Sequence, residues 1–180
     1  MSSRAPLLWL ALYLAVLAVQ RFAEVAISLR HARALLARGA RESGAGHYGL
    51  FVLLHAGWPL MLIWEVLARG ARPGPWWPLA LLGVLAAAGL RQASMRALGG
   101  LWTARIVVLP DQPRVTHGIY RWLAYPSYAG ATLELIAAPL MFGAWRTALA
   151  AWLVNAVALA IRMPAQRRAL EQVWRGTKAG

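Results

Sequence analysis

The chain has no cysteine, which excludes disulfides, thiolate metal ligands and a cysteine nucleophile. Acidic residues are scarce, 6 against 19 basic ones, and the net charge is +13. Such an excess can mark a nucleic-acid binder. Here, however, the arginines lie between apolar blocks rather than among aromatics in a soluble module, so nucleic acid is not an expected partner. No Gly-x-Gly-x-x-Gly follows a strand pattern, which argues against a soluble nucleotide-binding fold. The histidines His31, His47, His55 and His117 are spread along the chain without metal-ligand spacing, so no metal site is expected. The first apolar stretch lacks a small-residue cleavage site followed by a polar mature start, and reads as a retained helix rather than a signal peptide.

What the chain has in quantity is apolar sequence. About 60% of its 180 residues are hydrophobic, and they come in blocks long enough to cross a bilayer. Spanning helices are expected near Pro6 to Ser28, His47 to Ala68, Trp76 to Met95, Tyr128 to Phe142 and Thr147 to Met163. The last two are short and joined by Gly143-Ala144-Trp145-Arg146, the signature of a helical hairpin. The expected fold is all-α, a polytopic membrane helical bundle of about five transmembrane helices forming a single domain over 1–180. Arg30, Arg33, Arg38 and Arg41 fall after the first helix, Arg91, Arg96, Arg105, Arg114 and Arg121 around the third loop, and Arg162, Arg167, Arg168, Arg175 and Lys178 at the end. The other side holds Arg4, Arg69, Arg72 and Arg146. The positive-inside rule then places the amino terminus outside and the carboxyl terminus in the cytoplasm, and the composition suggests a bacterial inner membrane.

The polar residues within these blocks need a reason. Arg21 and Glu24 lie three apart in the first helix and read either as an ion pair that fixes packing or as the lining of a substrate cavity. Glu65, near the far end of the second helix, reads as interfacial, and His55 as a packed or hydrogen-bonded residue. The loop over 96–127 is too polar to span, yet rich in aromatics, and a loop of that length is expected to be functional rather than disordered.

Two segments resemble a known family. Gln20-Arg21-Phe22-Ala23-Glu24 with Ser28-Leu29-Arg30, followed by Arg38 to Glu42 and His47-Tyr48, is similar to the amino-terminal signature of bacterial isoprenylcysteine carboxyl methyltransferase family proteins. Val115-Thr116-His117-Gly118-Ile119-Tyr120-Arg121-Trp122-Leu123-Ala124-Tyr125-Pro126-Ser127-Tyr128 resembles the central motif of that family, and Glu134 and Pro139-Leu140 continue it. Tyr125 stands where the family usually has histidine before Pro126, and Gln166-Arg167 stands where a Glu-Glu pair follows the arginine matched by Arg162. Arg167 and Glu171, four apart, can restore an Arg/Glu pair in a shifted register.

The resemblance implies an S-adenosylmethionine-dependent O-methyltransferase whose cofactor site is built from the loop 96–127 and the tail 162–180. It implies cofactor contacts from His117, Tyr120, Tyr125, Pro126, Tyr128, Glu134, Arg162 and Gln166, with Arg162, Glu171 and His117 as catalytic candidates. The chemistry agrees: a sulfonium and an adenine favour aromatic faces, a donor carboxylate needs a cation such as Arg162, and a phenolic acceptor needs a base, for which His117 or Glu171 are candidates. The expected acceptor is a lipid-like small molecule, either isoprenylcysteine carboxylate-like or an alkylpyrone or alkylresorcinol. Other readings are a non-catalytic relic of the same fold, a phospholipid methyltransferase or a membrane reductase.

Overall fold

The computed structural model describes residues 4–43, 46, 48–110 and 112–176. His47 and Lys178, both part of the sequence reading, lie outside the described residues, as does the end of the tail. Among the described residues five α-helices carry the fold: α1 (Arg4–Ala37), α2 (Tyr48–Arg69), α3 (Trp77–Leu98), α4 (Pro126–Met141) and α5 (Trp145–Gly176). Two three-residue strands, β1 (Arg41–Ser43) and β2 (Ile106–Val108), pair antiparallel, with Glu42 opposite Val107.

The fold class is the expected membrane bundle, with corrections to helix length. Among the described residues four helices are long and apolar enough to cross a membrane, namely α1, α2, α3 and α5. α4 has 16 residues, about 24 Å at 1.5 Å per residue, and falls short of the ~30 Å hydrocarbon core. α1 runs 34 residues, so Arg30 and Arg33 belong to its last turns rather than to a loop. α5 runs straight through Pro164 and past Met163, where the apolar pattern stops.

Three small contacts set the ends of the bundle. The β1–β2 ladder ties the α1–α2 connection to the α3–α4 connection, and Ile106 and Val108 pack on Ala165, Ala169 and Leu170 of α5. The arginines of both connections therefore share one end with the tail of α5. At the other end Gly143 makes the α4–α5 turn at φ 74, where a Cβ would stand 2.0 Å from the Arg72 carbonyl oxygen, so only glycine fits. Glu65 closes the same end. Its carboxylate accepts from the Thr147 amide at 2.8 Å, the Thr147 hydroxyl at 2.7 Å and the Arg146 amide at 3.3 Å, which satisfies the free N–H groups at the start of α5. Glu65 is thus 1% exposed and caps a neighbouring helix, which corrects its reading as an interfacial residue.

α3 and α4 pack through small residues. A Cβ on Gly83 would lie 2.9 Å from that of Ala137, and one on Gly130 would lie 2.9 Å from the Ala87 carbonyl oxygen. This is the close backbone approach by which helices associate where lipid supplies no hydrophobic drive. The core is Leu10, Leu17, Leu54, Trp58, Leu62, Leu135 and their neighbours. Large apolar side chains such as Val19, Phe22, Leu53 and Leu82 face outward, as they do in a protein solvated by lipid.

Candidate functional site

The site begins at the helix start that Pro126 fixes. Proline in the first turn of α4 costs no hydrogen bond, and the preceding Tyr125 leaves the helical conformation, at φ -136 and ψ 62. This turn sets the Tyr125 and Tyr128 rings parallel, 5.7 Å between centroids and 8° between planes. From α5, Arg162 and Gln166 lie one turn apart on the face that meets α4. Arg162 Nε donates to the Tyr128 hydroxyl at 2.8 Å, and that hydroxyl donates to Gln166 Oε1. Arg162 is 5% exposed. Its second amino nitrogen donates to the Ala104 carbonyl, and its charge sits 4.9 Å from the Phe51 ring centre and 5.8 Å from that of Tyr128.

The Ala104 carbonyl is held in place by α1. The Ala104 amide donates to Ser28 Oγ at 2.9 Å, and His31 Nδ1 donates to the Trp102 carbonyl at 2.8 Å. Arg105 pairs with Glu42 at 3.2 Å and lies over the Tyr48 ring. The long loop is therefore ordered by α1, β1 and α5 together. Further into the bundle, Asn155 donates to Thr132 Oγ1 and Thr132 donates to the Tyr128 carbonyl, each at 2.9 Å, bracing α4 on α5.

α4 turns a second polar face toward α3. Ser94 Oγ is 2.7 Å from both the Tyr120 hydroxyl and Ser127 Oγ. Burial pushes the Tyr120 hydroxyl above its ordinary range, and the two serines oppose that shift. Two turns along α4 lies a buried set of four charges. Arg91 reaches Glu134 at 2.5 Å and Glu24 at 3.0 Å, and Arg21 reaches Glu24 at 2.7 Å and also Glu134. Arg91, read from sequence with the third loop, is instead a buried residue within α3.

The sequence-named residues therefore fall into separate groups. Tyr125, Pro126, Tyr128, Arg162 and Gln166 come together between α4 and α5. Tyr120 joins the serines, and Arg21, Glu24 and Glu134 form the charge set with Arg91. His117 is exposed at the start of a 3₁₀ turn and makes no hydrogen bond among the described residues. Glu171 pairs with Arg167 at 2.9 Å on an open face of α5, in the shifted register read from the sequence. The sequence reading did not include Phe51, Ser94, Ala104 or Asn155. Of these only Asn155 carried a signal, an amide inside an apolar helix.

Comparison with known proteins decides the family. The model of the isoprenylcysteine carboxyl methyltransferase (ICMT) family matches residues 79–172, more than half of the chain. The chain belongs to this family. Its relatives include the uncharacterized protein YpbQ of Bacillus subtilis, 34% identical over 161 residues that cover 89% of this chain and 96% of that protein. An uncharacterized protein of Haemophilus influenzae is 24% identical over 155 residues, covering 86% and 90%. The matched segment holds the whole of the Tyr125–Tyr128–Arg162–Gln166 group, and membership makes this a membrane protein of a methyltransferase family. The residues suit the methyl donor of that family: a buried guanidinium for a carboxylate, with the Phe51 and Tyr128 rings against it and Tyr125 stacked on Tyr128 for a sulfonium and an adenine.

Proposed function

We propose that the chain is an S-adenosylmethionine-dependent O-methyltransferase acting on a hydrophobic acceptor held in the membrane. The observation that carries this reading is the Arg162–Tyr128–Gln166 chain, whose guanidinium is buried against Phe51 and whose Tyr128 ring stacks on Tyr125. The donor supplies an electrophilic methyl group, and the work left to the protein is to hold two reactants in line and away from water. Arg162 is the group that takes the donor carboxylate. The Tyr125, Tyr128 and Phe51 faces favour its positive sulfur and its base, and Gln166 Oε1 and the Ala104 carbonyl are acceptors for its ammonium.

An apolar groove supports a lipid-like acceptor. Leu50 of α2 and Leu153, Val154 and Val157 of α5 line a space of about 250 Å³. Leu50 is followed in α2 by Phe51, whose ring lies against Arg162, so the groove and the site are built on the same two helices, α2 and α5. The acceptor classes this favours are an isoprenylcysteine-like carboxylate and an alkylpyrone or alkylresorcinol hydroxyl. The arginine-rich end formed by the β1–β2 ladder and the tail of α5 is then cytoplasmic, with the amino terminus outside, in a bacterial inner membrane.

A second reading, a non-catalytic member of the fold, is favoured by Tyr125 and Gln166-Arg167 at the positions of the family histidine and Glu-Glu pair. Calorimetric titration of S-adenosylhomocysteine into the protein in nanodiscs separates the two, with Tyr125→His alongside. Micromolar binding by the natural chain supports the enzyme. Binding gained only in Tyr125→His supports the relic.

A further inference from the structure

Ser28 and His31 lie three apart on α1, beside the buried Glu24, Ala32 and Leu35. Ser28 is 4% exposed, while its neighbours Leu29 and Arg30 face outward. Along this face runs a short strap, residues 102–105, between the Gly99–Leu101 turn and β2. The strap is neither helix nor ladder, so its backbone groups need other partners. Here α1 supplies them. Ser28 Oγ accepts from the Ala104 amide at 2.9 Å, and His31 Nδ1 lies 2.8 Å from the Trp102 carbonyl oxygen. A carbonyl only accepts, so Nδ1 carries the hydrogen. Within the strap the Thr103 hydroxyl donates to the Arg105 carbonyl at 2.7 Å, closing a turn around Ala104.

Ala104 is thereby fixed from two sides. Its amide is bound to α1, and its carbonyl accepts from the Arg162 guanidinium of α5. Arg162 Nε is held in turn by the Tyr128 hydroxyl of α4 at 2.8 Å. Of the five N–H groups of a guanidinium these bonds use two, and the Ala104 oxygen keeps a second lone pair. The remaining N–H groups match a carboxylate and the lone pair matches an ammonium, the two charged groups of an α-amino acid. Both partners are aimed by Ala104, and Ala104 is aimed by α1. Attachment alone would not need these two contacts, because the strap is already tied down just beyond Ala104. Arg105 pairs with Glu42, and Ile106 and Val108 pack on α5. What Ser28 and His31 add is position.

We propose that Ser28 and His31 are positioning residues for the amino-acid end of the methyl donor, acting through Ala104, an inference that rests on the methyltransferase reading above. Ser28 sets the orientation of Ala104, and His31 keeps the strap from sliding along α1. Together they fix where Arg162 meets the carboxylate and where the Ala104 oxygen meets the ammonium.

The test measures binding of two ligands to the full chain in nanodiscs. S-adenosylhomocysteine carries the amino-acid end, and methylthioadenosine shares its adenosine and thioether but lacks that end. Ser28→Ala should weaken the first by about threefold to tenfold, the effect of one hydrogen bond, and leave the second unchanged. His31→Leu should act in the same way, and His31→Asn, which keeps an N–H near the Nδ1 position, should restore the affinity. Hydrogen exchange without ligand gives a second readout: the amides of 102–105 should exchange faster in Ser28→Ala and those of α4 at the natural rate. Equal losses for both ligands would mark a merely structural role and overturn the proposal. The methyltransferase reading fails in a different way. A natural chain that binds neither ligand overturns that reading and the proposal with it, whereas S-adenosylhomocysteine binding that is the same in the natural chain, Ser28→Ala and His31→Leu overturns the role of these two residues alone.

Discussion

The guanidinium of Arg91 on α3 lies 2.5 Å from the Glu134 carboxylate on α4, in a neutral set completed by Arg21 and Glu24 of α1. Inside a membrane each of these charges is tolerable only because the others are there. Removing one partner leaves an uncompensated charge, a loss of about 3 to 5 kcal/mol, whereas removing a matched pair leaves a neutral remainder. Arg91→Met and Glu134→Gln should each lower the melting temperature in detergent sharply. The double variant should melt above the sum of the two losses, and strict additivity would show that the pair is not coupled.

Glu65 holds the first turn of α5 with three hydrogen bonds from Arg146 and Thr147. Glu65→Ala removes a charged acceptor from buried donors, worth about 1.5 to 3 kcal/mol. Glu65→Gln keeps one acceptor oxygen and should recover part of that. Thermal unfolding that ranks natural above Gln above Ala would confirm the cap. Equal stabilities would mean that water serves those amides as well.

Much of this fold was legible because lipid leaves a strong mark on sequence. The apolar blocks gave the helices, and the arginine segregation gave the shared end that the β1–β2 ladder now joins. Helix ends were less legible, since α1 and α5 continue through Arg30 and Pro164 once they leave the apolar region. The charge set was half visible. Arg21 and Glu24 show their i, i+3 relation in the chain, whereas Arg91 and Glu134 are 43 residues apart and meet only because glycine and alanine let α3 and α4 approach. His117 and Glu171 were named for their chemistry. Exposure and distance along the fold, which set their surroundings, are not written in residue type.

The α3–α4 contact gives a packing test. Gly130→Val would place a branched side chain where even a Cβ comes within 2.9 Å of the Ala87 carbonyl oxygen. Overpacking of this kind costs about 1 to 3 kcal/mol. It should also spread Ser94 from Ser127 and Arg91 from Glu134. Gly89→Ala, on the facing helix α3 with open space around its Cβ, should be neutral or slightly stabilising. Thermal melts of both variants check the contrast.

Tyr120 gives a pH test. Its hydroxyl holds its proton to higher pH in the folded chain than in the unfolded one, because it is buried. Below the ordinary tyrosine value of about 10 both states keep the proton, and the contribution to stability is constant. Above it the unfolded state binds fewer protons, so stability falls as pH rises through the folded value. The difference in melting temperature between the natural chain and Tyr120→Phe should therefore be flat from neutral pH to about pH 9 and then shift in favour of the variant. A difference that stays constant through this range would place Tyr120 in water.

The Tyr128 hydroxyl is the junction of the candidate site, accepting from Arg162 and donating to Gln166. Tyr128→Phe keeps the ring that stacks on Tyr125 but frees both partners, so the aromatic surface for the donor persists while the orientation of Arg162 is lost. Hydrogen bonds to charged groups are worth about 1.5 to 3 kcal/mol, which corresponds to roughly tenfold or more in S-adenosylhomocysteine affinity. Arg162→Ala removes the cation itself and should cost more. Arg162→Lys restores charge without the planar fork and should fall between them. Calorimetric affinities in the order natural, Tyr128→Phe, Arg162→Lys, Arg162→Ala would show that the guanidinium is the donor's anchor and the hydroxyl its guide. If all three variants bind as the natural chain does, this group serves only to hold α4 to α5, and the donor must bind elsewhere.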